Sequence, residues 1–177
     1  MWKEFYKNRI NNSYQDYFNM RYKSMLDKIV EINPYFCIEE GCGIGSISKY
    51  LKNQKIISFG FDIDSDMVEL AKINTGDTRN FYKDDILNPL ECSIFYQASE
   101  LQITHGVLEH FNDEDLLKIF SRYKRDNKSS IHYVPLDKYK VPSFGDERLL
   151  PYEYWLEISQ AKEYQLFNDS YDLWFKI

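Results

Sequence analysis

Phe36-Cys37-Ile38-Glu39-Glu40-Gly41-Cys42-Gly43-Ile44-Gly45-Ser46 decides how the rest of the chain is read. A short apolar run ends in an acidic pair, and three glycines at alternate positions then open into Ile47-Ser48-Lys49-Tyr50-Leu51, a helix-forming stretch. The pattern predicts a strand, a tight turn and a helix start. Glycine at alternate positions lets the backbone turn sharply and leaves no side chain between the main chain and a ligand.

Working outward, Tyr14, Phe18, Tyr22, Met25 and Ile29 recur at steps of three and four, which predicts one helix over about 13–31, stopped by Asn33-Pro34. Trp2, Phe5, Tyr6 and Tyr17 give its front end an aromatic character suited to covering an active site. After the glycine turn, a helix is expected over about 44–53 and a buried strand over 55–61 that ends in Asp62. Asp64-Ser65-Asp66 offers a cap for the following helix. A short strand over about 78–82 runs into Lys83-Asp84-Asp85-Ile86, and 91–99 reads as either a loop or a short helix. Strand character returns at 100–105 and 129–135, separated by a helix that Asn112-Asp113 caps and that runs to about Lys124. A polar, aromatic loop over 136–146 leads to a helix containing Tyr152 and Trp155, and 163–167 and 171–177 form a hairpin around Asn168-Asp169-Ser170.

Five strands alternating with helices imply an α/β fold, a mostly parallel sheet with helices on both faces joined by right-handed crossovers. Ligands of such sheets sit outside the carboxyl ends of the strands. Asp62, Asp85 and His105 each stand at or just beyond one of those ends, and are expected to share a cleft with the glycine turn.

Composition narrows the function. The chain has 177 residues, 44% of them hydrophobic and 28% charged, which suits a single globular domain with a sizeable core. A net charge of −6 disfavours a polyanionic partner, because nucleic-acid binding relies on clustered Lys and Arg. Cys37, Cys42 and Cys92 are odd in number and lack metal-ligand spacing, so they read as reduced thiols. Met1-Trp2-Lys3-Glu4-Phe5 lacks a signal-peptide pattern and no apolar run reaches membrane-spanning length, so a cytoplasmic location is expected.

Two ligand classes compete for the glycine turn. A dinucleotide site prefers glycine five positions after the first, and Ser46 stands there. Glycines 41, 43 and 45 behind Glu39 instead resemble motif I of the class I S-adenosylmethionine-dependent methyltransferases of small-molecule type. Gly60-Phe61-Asp62-Ile63-Asp64-Ser65-Asp66-Met67 is similar to the second motif and Asp84-Asp85-Ile86-Leu87 to the third. Thr104-His105-Gly106-Val107-Leu108-Glu109-His110-Phe111 resembles the fourth.

The resemblance covers about residue 35 to the end. It implies a Rossmann-like three-layer sandwich whose seven-stranded sheet has the order 3-2-1-4-5-7-6 with a closing antiparallel hairpin. Residues 1–33 become an amino-terminal helical cap, and 136–155 the acceptor-side loop and helix. S-adenosylmethionine is the implied cofactor, S-adenosylhomocysteine the product, and a small molecule the methyl acceptor.

Site residues follow from the same resemblance. Asp62 would hold the ribose hydroxyls and Asp85, with Asp84 as its rival, the adenine amino group, while Ile86 flanks the ring. Glu39, Gly41, Cys42, Gly43, Gly45, Ile63, Met67, His105 and Gly106 complete the cofactor contacts. Carboxylates and bare backbone suit a ligand that carries a sulfonium and a diol but no phosphate. Glu39 either orients the turn or meets the methionine ammonium.

His105, Glu109 and His110 are the candidates for catalysis, because an imidazole titrates near neutrality. No metal is assigned, since no spacing demands one. His132 reads either as a neighbour of His105 or as a satisfied core histidine. Tyr139, Phe144, Asp146, Glu147, Arg148, Tyr152 and Trp155 are expected to select the acceptor, with Arg148 either meeting an acceptor anion or pairing with Glu147 or Glu153. The signature that holds a flipped base is absent, as is a Pro-Cys nucleophile, so nucleic acid is not an expected substrate. An S-adenosylmethionine-binding protein without transferase activity is the alternative function, and oligomeric state is unreadable.

Overall fold

A computed structural model describes residues 2–89, 93–143 and 145–177. Cys92 and Phe144, singled out above, lie outside them. The elements run α1 (Trp2–Tyr6), α2 (Asn12–Arg21), α3 (Lys23–Ile32), β1 (Phe36–Glu40), α4 (Ser46–Asn53), β2 (Ile57–Asp62), α5 (Ser65–Thr75), β3 (Phe81–Lys83) and α6 (Ser93–Ala98). There follow β4 (Leu101–His105), a 3₁₀ turn Leu108–His110, α7 (Asp113–Arg125), β5 (Ser129–Pro135), α8 (Tyr152–Ser159), β6 (Glu163–Phe167) and β7 (Asp172–Lys176). The strand order is β3-β2-β1-β4-β5-β7-β6, as the resemblance implies. The chain divides into two compact units, one from the amino terminus to Leu101 and one from Gln102 to Ile177.

In the first unit β1 runs parallel to β2, with Phe36 opposite Ile57 and Glu40 opposite Phe61, and β2 runs parallel to β3. Every residue of β1 is buried, which explains its continuous apolar start. Met25, Leu26, Ile29, Ile38, Ile47, Leu51, Phe61 and Met67 form the fully buried core. The single helix expected over 13–31 is two. Asn11 caps α2 by accepting from the Tyr14 N–H at 2.8 Å, and Tyr22 (φ −103°, ψ 19°) leaves helical geometry between α2 and α3. Tyr22 carries no capping hydrogen bond from its side chain, and no glycine or proline flanks it, so the sequence holds no mark of the break. Asn33, in the left-handed conformation before Pro34, ends α3 where expected.

The third strand starts later than its β character suggests. Asp77 accepts from the Arg79 N–H at 2.9 Å and the Asn80 amide at 2.8 Å, which holds residues 77–80 in a turn. The ambiguous stretch before β4 resolves into α6.

In the second unit β7 lies antiparallel to both β5 and β6, pairing His132 with Phe175 and Gln165 with Trp174. Asn168, Asp169 and Ser170 all take positive φ, which makes the hairpin turn as read. Asn112 caps α7 by accepting from the Asp115 N–H at 2.9 Å. Phe120, Tyr123, His132, Trp155 and Phe175 pack as an aromatic core. Among the described residues, no helix is long and apolar enough to cross a membrane.

Candidate active site

The glycine turn connects β1 to α4. Gly41, Gly43 and Gly45 have φ of 73°, 51° and 69°, a left-handed series that only glycine adopts without strain. The last two serve different ends. A Cβ on Gly45 would stand 3.1 Å from both Phe81 Cζ and Thr75 Cγ2, so a side chain here would push on both neighbours. A Cβ on Gly43 would meet nothing within 4 Å, so its backbone faces open space.

Side chains from elsewhere in the unit fix the turn. The Gln15 amide donates to the Ser46 carbonyl at 3.0 Å and the Asn74 amide to the Ile44 carbonyl at 2.9 Å. The N–H groups of Gly41 and Cys42 both donate to the Phe61 carbonyl at 2.8 Å. Glu39, 4% exposed, accepts from the Ser48 N–H at 3.1 Å and the Ser48 hydroxyl at 2.7 Å. It therefore ties the end of β1 to the first turn of α4.

Burial pushes the Glu39 carboxyl from 4.5 up to about 7, although the Ser48 bonds pull it down. Raised in the folded state, the group contributes stability that is fully present below about pH 4.5 and is lost as pH rises towards 7. From 4.5 to about 7, at about 1.4 kcal/mol per unit, the loss is roughly 3 kcal/mol. Comparing wild type with Glu39→Gln by denaturant titration at pH 4.5 and pH 8 should show that much relative change in favour of the variant. An equal pH dependence in the two proteins would show that Glu39 is not the source.

Asp62, half-buried at the end of β2, accepts from the Gly43 N–H and the Asp64 N–H, both at 2.9 Å, one on each oxygen. Each oxygen keeps a further lone pair, and burial raises the carboxyl. Asp64 caps α5 through the Asp66 N–H. Ile63, immediately after Asp62, is 66% exposed. Asp84 accepts from the Asp85 N–H and Asp85 from the Leu87 N–H, both at 2.9 Å, and the Asp84 N–H donates to the Asp62 carbonyl at 3.1 Å.

Three other expected contacts turn inward. Cys42 packs with Val68, Ala71 and Phe81, Met67 is 2% exposed and Ile86 is 7% exposed. Their side chains belong to the core.

The amino-terminal segment adds groups that the motifs do not carry. The Arg9 guanidinium lies 3.6 Å from the centre of the Phe5 ring and within 6 Å of the Tyr6 and Tyr14 rings. Burial, with Tyr14, Tyr22 and Asp62 nearby, holds the Tyr6 hydroxyl protonated. Lys3 pairs with Asp66 at 3.1 Å, joining α1 to α5. The aromatics of this segment were legible in the sequence, and the rings that Arg9 meets stand within five residues of it. Tyr17 stands 49% exposed.

The second unit holds the remaining candidates. The His105 ring, at the end of β4, stacks on Tyr133 with centroids 4.4 Å apart. Gly106 follows with φ 67°. Glu109 is 2% exposed, and burial raises its carboxyl to about 8. His110 Nδ1 lies 2.7 Å from Asp146 Oδ1, and this bond holds the Asp146 carboxyl below its ordinary range.

Arg148 pairs with Asp113 rather than with Glu147 or Glu153. Its backbone N–H donates to the Glu109 carbonyl at 2.8 Å, and its guanidinium donates to the Phe111 carbonyl and Asp113, both at 2.6 Å, and to the Tyr154 hydroxyl at 3.1 Å. The loop before α8 is thereby fastened to the Leu108–His110 turn. Tyr139 donates to the fully buried Asp172 at 3.0 Å, and Trp155 has no exposed surface. His132 is the satisfied core histidine. Its nitrogens bond the hydroxyls of Thr104 and Ser130, each at 2.8 Å, and burial lowers it to about 3.

No family model matches the sequence, and no curated protein matches it. Solved structures do match the fold. Protein PH0226 from Pyrococcus horikoshii OT3 superposes with a TM-score of 0.78 at 15% identity, over 98% of this chain and 97% of that one. Magnesium protoporphyrin IX methyltransferase from Synechocystis PCC 6803, with bound S-adenosylhomocysteine, gives 0.66 at 14% identity over 98% of each chain. Human N-acetylserotonin methyltransferase, in complex with S-adenosylmethionine, gives 0.68 at 14% identity over 92% of this chain and 52% of that one. The fold is that of the class I, Rossmann-like S-adenosylmethionine-dependent methyltransferases.

Proposed function

We propose that the protein is an S-adenosylmethionine-dependent methyltransferase that acts on a small molecule by in-line displacement. One observation carries this reading: the open backbone at Gly43 is hydrogen-bonded to the Asp62 carboxylate, so bare main chain and a diol acceptor stand side by side. Such a pairing suits a ligand with a ribose and an amino-acid head and no phosphate.

In this reading Asp62 uses its remaining lone pairs on the two ribose hydroxyls. Ile63 offers an apolar surface to the adenine, and the Asp84-Asp85 pair its amino-group acceptor. Glu39 acts through Ser48 to hold the turn. Sulfonium is a good leaving group, so placing the acceptor in line with the methyl supplies most of the acceleration. His105, Glu109 and His110 are assigned to the acceptor side, where a base is required only if the acceptor must lose a proton.

Two substitutions separate packing from binding at the turn. Gly43→Ala should cost about 1 kcal/mol of stability from its left-handed backbone and weaken S-adenosylhomocysteine binding at least tenfold. Gly45→Ala should cost more stability, about 2–3 kcal/mol, because Phe81 and Thr75 must also shift. Equal effects on stability, with binding untouched in Gly43→Ala, would remove the distinction.

The function itself is tested by incubating the protein with S-adenosylmethionine carrying a labelled methyl group and a panel of hydroxyl, amine, thiol and carboxylate acceptors. Label appearing in a product is expected. Cofactor binding with no product across the panel, peptides included, would leave a binding protein without transferase activity.

A further inference from the structure

We propose that Glu109, His110 and Glu147 form a binding site for one divalent cation of the manganese or zinc type. One ligand atom from each of the three lies within 4.8 Å of the others. Ligands around a single ion of this kind stand about 3–4 Å apart, given metal–ligand bonds near 2.0–2.2 Å, so small side-chain movements suffice to close the site. The site lies wholly within the second unit, and it stands or falls independently of the methyl-transfer reading.

Three further observations point to a cation. The first is Glu109 itself. Its side chain is 2% exposed and its Oε2 has no hydrogen-bond partner among the described residues. A buried carboxyl oxygen without a partner is uncommon, because its desolvation goes uncompensated. The cation carried by the neighbouring loop does not compensate it: the Arg148 guanidinium is directed to Phe111, Asp113 and Tyr154.

The second is the orientation of His110. His110 Nδ1 lies 2.7 Å from the carboxylate of Asp146, which holds the ring from outside the three residues. A carboxylate behind a histidine is the usual support of a metal-ligating imidazole. The third is Glu147, whose two oxygens accept from the N–H and hydroxyl of Ser143 at 2.7 and 2.6 Å. These bonds fix the carboxylate and leave a second lone pair on each oxygen.

The donor set selects the ion. Two carboxylates and one imidazole supply a charge of −2 with no thiolate, which favours Mn²⁺, Fe²⁺ or Zn²⁺ over soft ions, while the imidazole and low donor count disfavour Ca²⁺. Three protein ligands leave positions for water or for an oxygen of a small molecule. With the ion in place Glu109 and His110 act as ligands, and the imidazole available for proton transfer is that of His105.

The test uses the untagged full-length chain stripped of metal. Mn²⁺ titration followed by the electron paramagnetic resonance of the free ion, and Zn²⁺ titration by calorimetry, should each reveal one saturable site per chain. Glu109→Gln keeps shape without charge, so the metal-free variant should unfold at or above the wild-type temperature while binding falls at least about tenfold. Glu147→Gln, at a partly exposed position, should weaken binding likewise and covers the case in which Glu109→Gln does not fold. Glu114→Gln, on the exposed face of α7, should leave binding unchanged. Absence of stoichiometric binding by either ion, or binding within twofold of wild type in both Glu109→Gln and Glu147→Gln, would overturn the proposal.

Discussion

Asp62→Ala is expected to weaken S-adenosylhomocysteine binding by about a hundredfold or more, with the circular dichroism of the folded protein retained. The magnitude comes from two charge-assisted hydrogen bonds to the ribose at about 1.5 kcal/mol or more each. The same carboxylate also holds the N–H groups of Gly43 and Asp64, so the substitution loosens the turn as well as removing the ribose acceptor. A stability loss of about 1–2 kcal/mol should accompany it, offset in part because a half-buried carboxyl raised by burial is no longer desolvated. Calorimetric titration of wild type and variant measures the binding term, and thermal unfolding the structural one. Affinity within threefold of wild type would mean that the ribose is held elsewhere.

Trp155→Ala carries the largest expected effect on stability, about 3–5 kcal/mol. Trp155 has no exposed surface, and its ring stacks on Phe175 at 6.4 Å and meets Tyr154 edge-on at 5.5 Å. The Ser159 hydroxyl donates to its carbonyl, closing the end of α8. Its place in the sequence, among the aromatics expected to select an acceptor, suggests a specificity residue. Its burial makes it the core of the second unit. Denaturant unfolding should therefore show a large loss of stability, and a variant that unfolds like wild type would contradict this placement.

How far the chain could be read without coordinates depends on the kind of signal. The three glycines, the capping Asp64 and Asn112, and the hairpin at 168–170 were legible because each depends on backbone conformation or on a side chain acting within a few residues. The break at Tyr22 was hidden, since the helical spacing of apolar residues continues through it. Motif position also does not say which way a side chain points. Cys42, Met67 and Ile86 stand where cofactor contacts are expected and turn into the core, whereas Ile63 turns outward.

Contacts distant in sequence were the least accessible. Nothing in the spacing brings Glu147 to Glu109 and His110, or Arg148 to Asp113, because these meetings depend on the path of the loop between β5 and α8. Glu39 lies between the two cases. Its importance was readable from its place before the turn, but the Ser48 bonds that define its role required the start of α4 to be located.

In the proposed function the glycine turn and Asp62 receive S-adenosylmethionine. Side-by-side calorimetric titration of the wild-type chain with S-adenosylhomocysteine and with NAD tests it most directly. Saturable one-to-one binding of S-adenosylhomocysteine, at least tenfold tighter than any binding of NAD, is the predicted result. Tighter binding of NAD would contradict the account, as would no binding of S-adenosylhomocysteine.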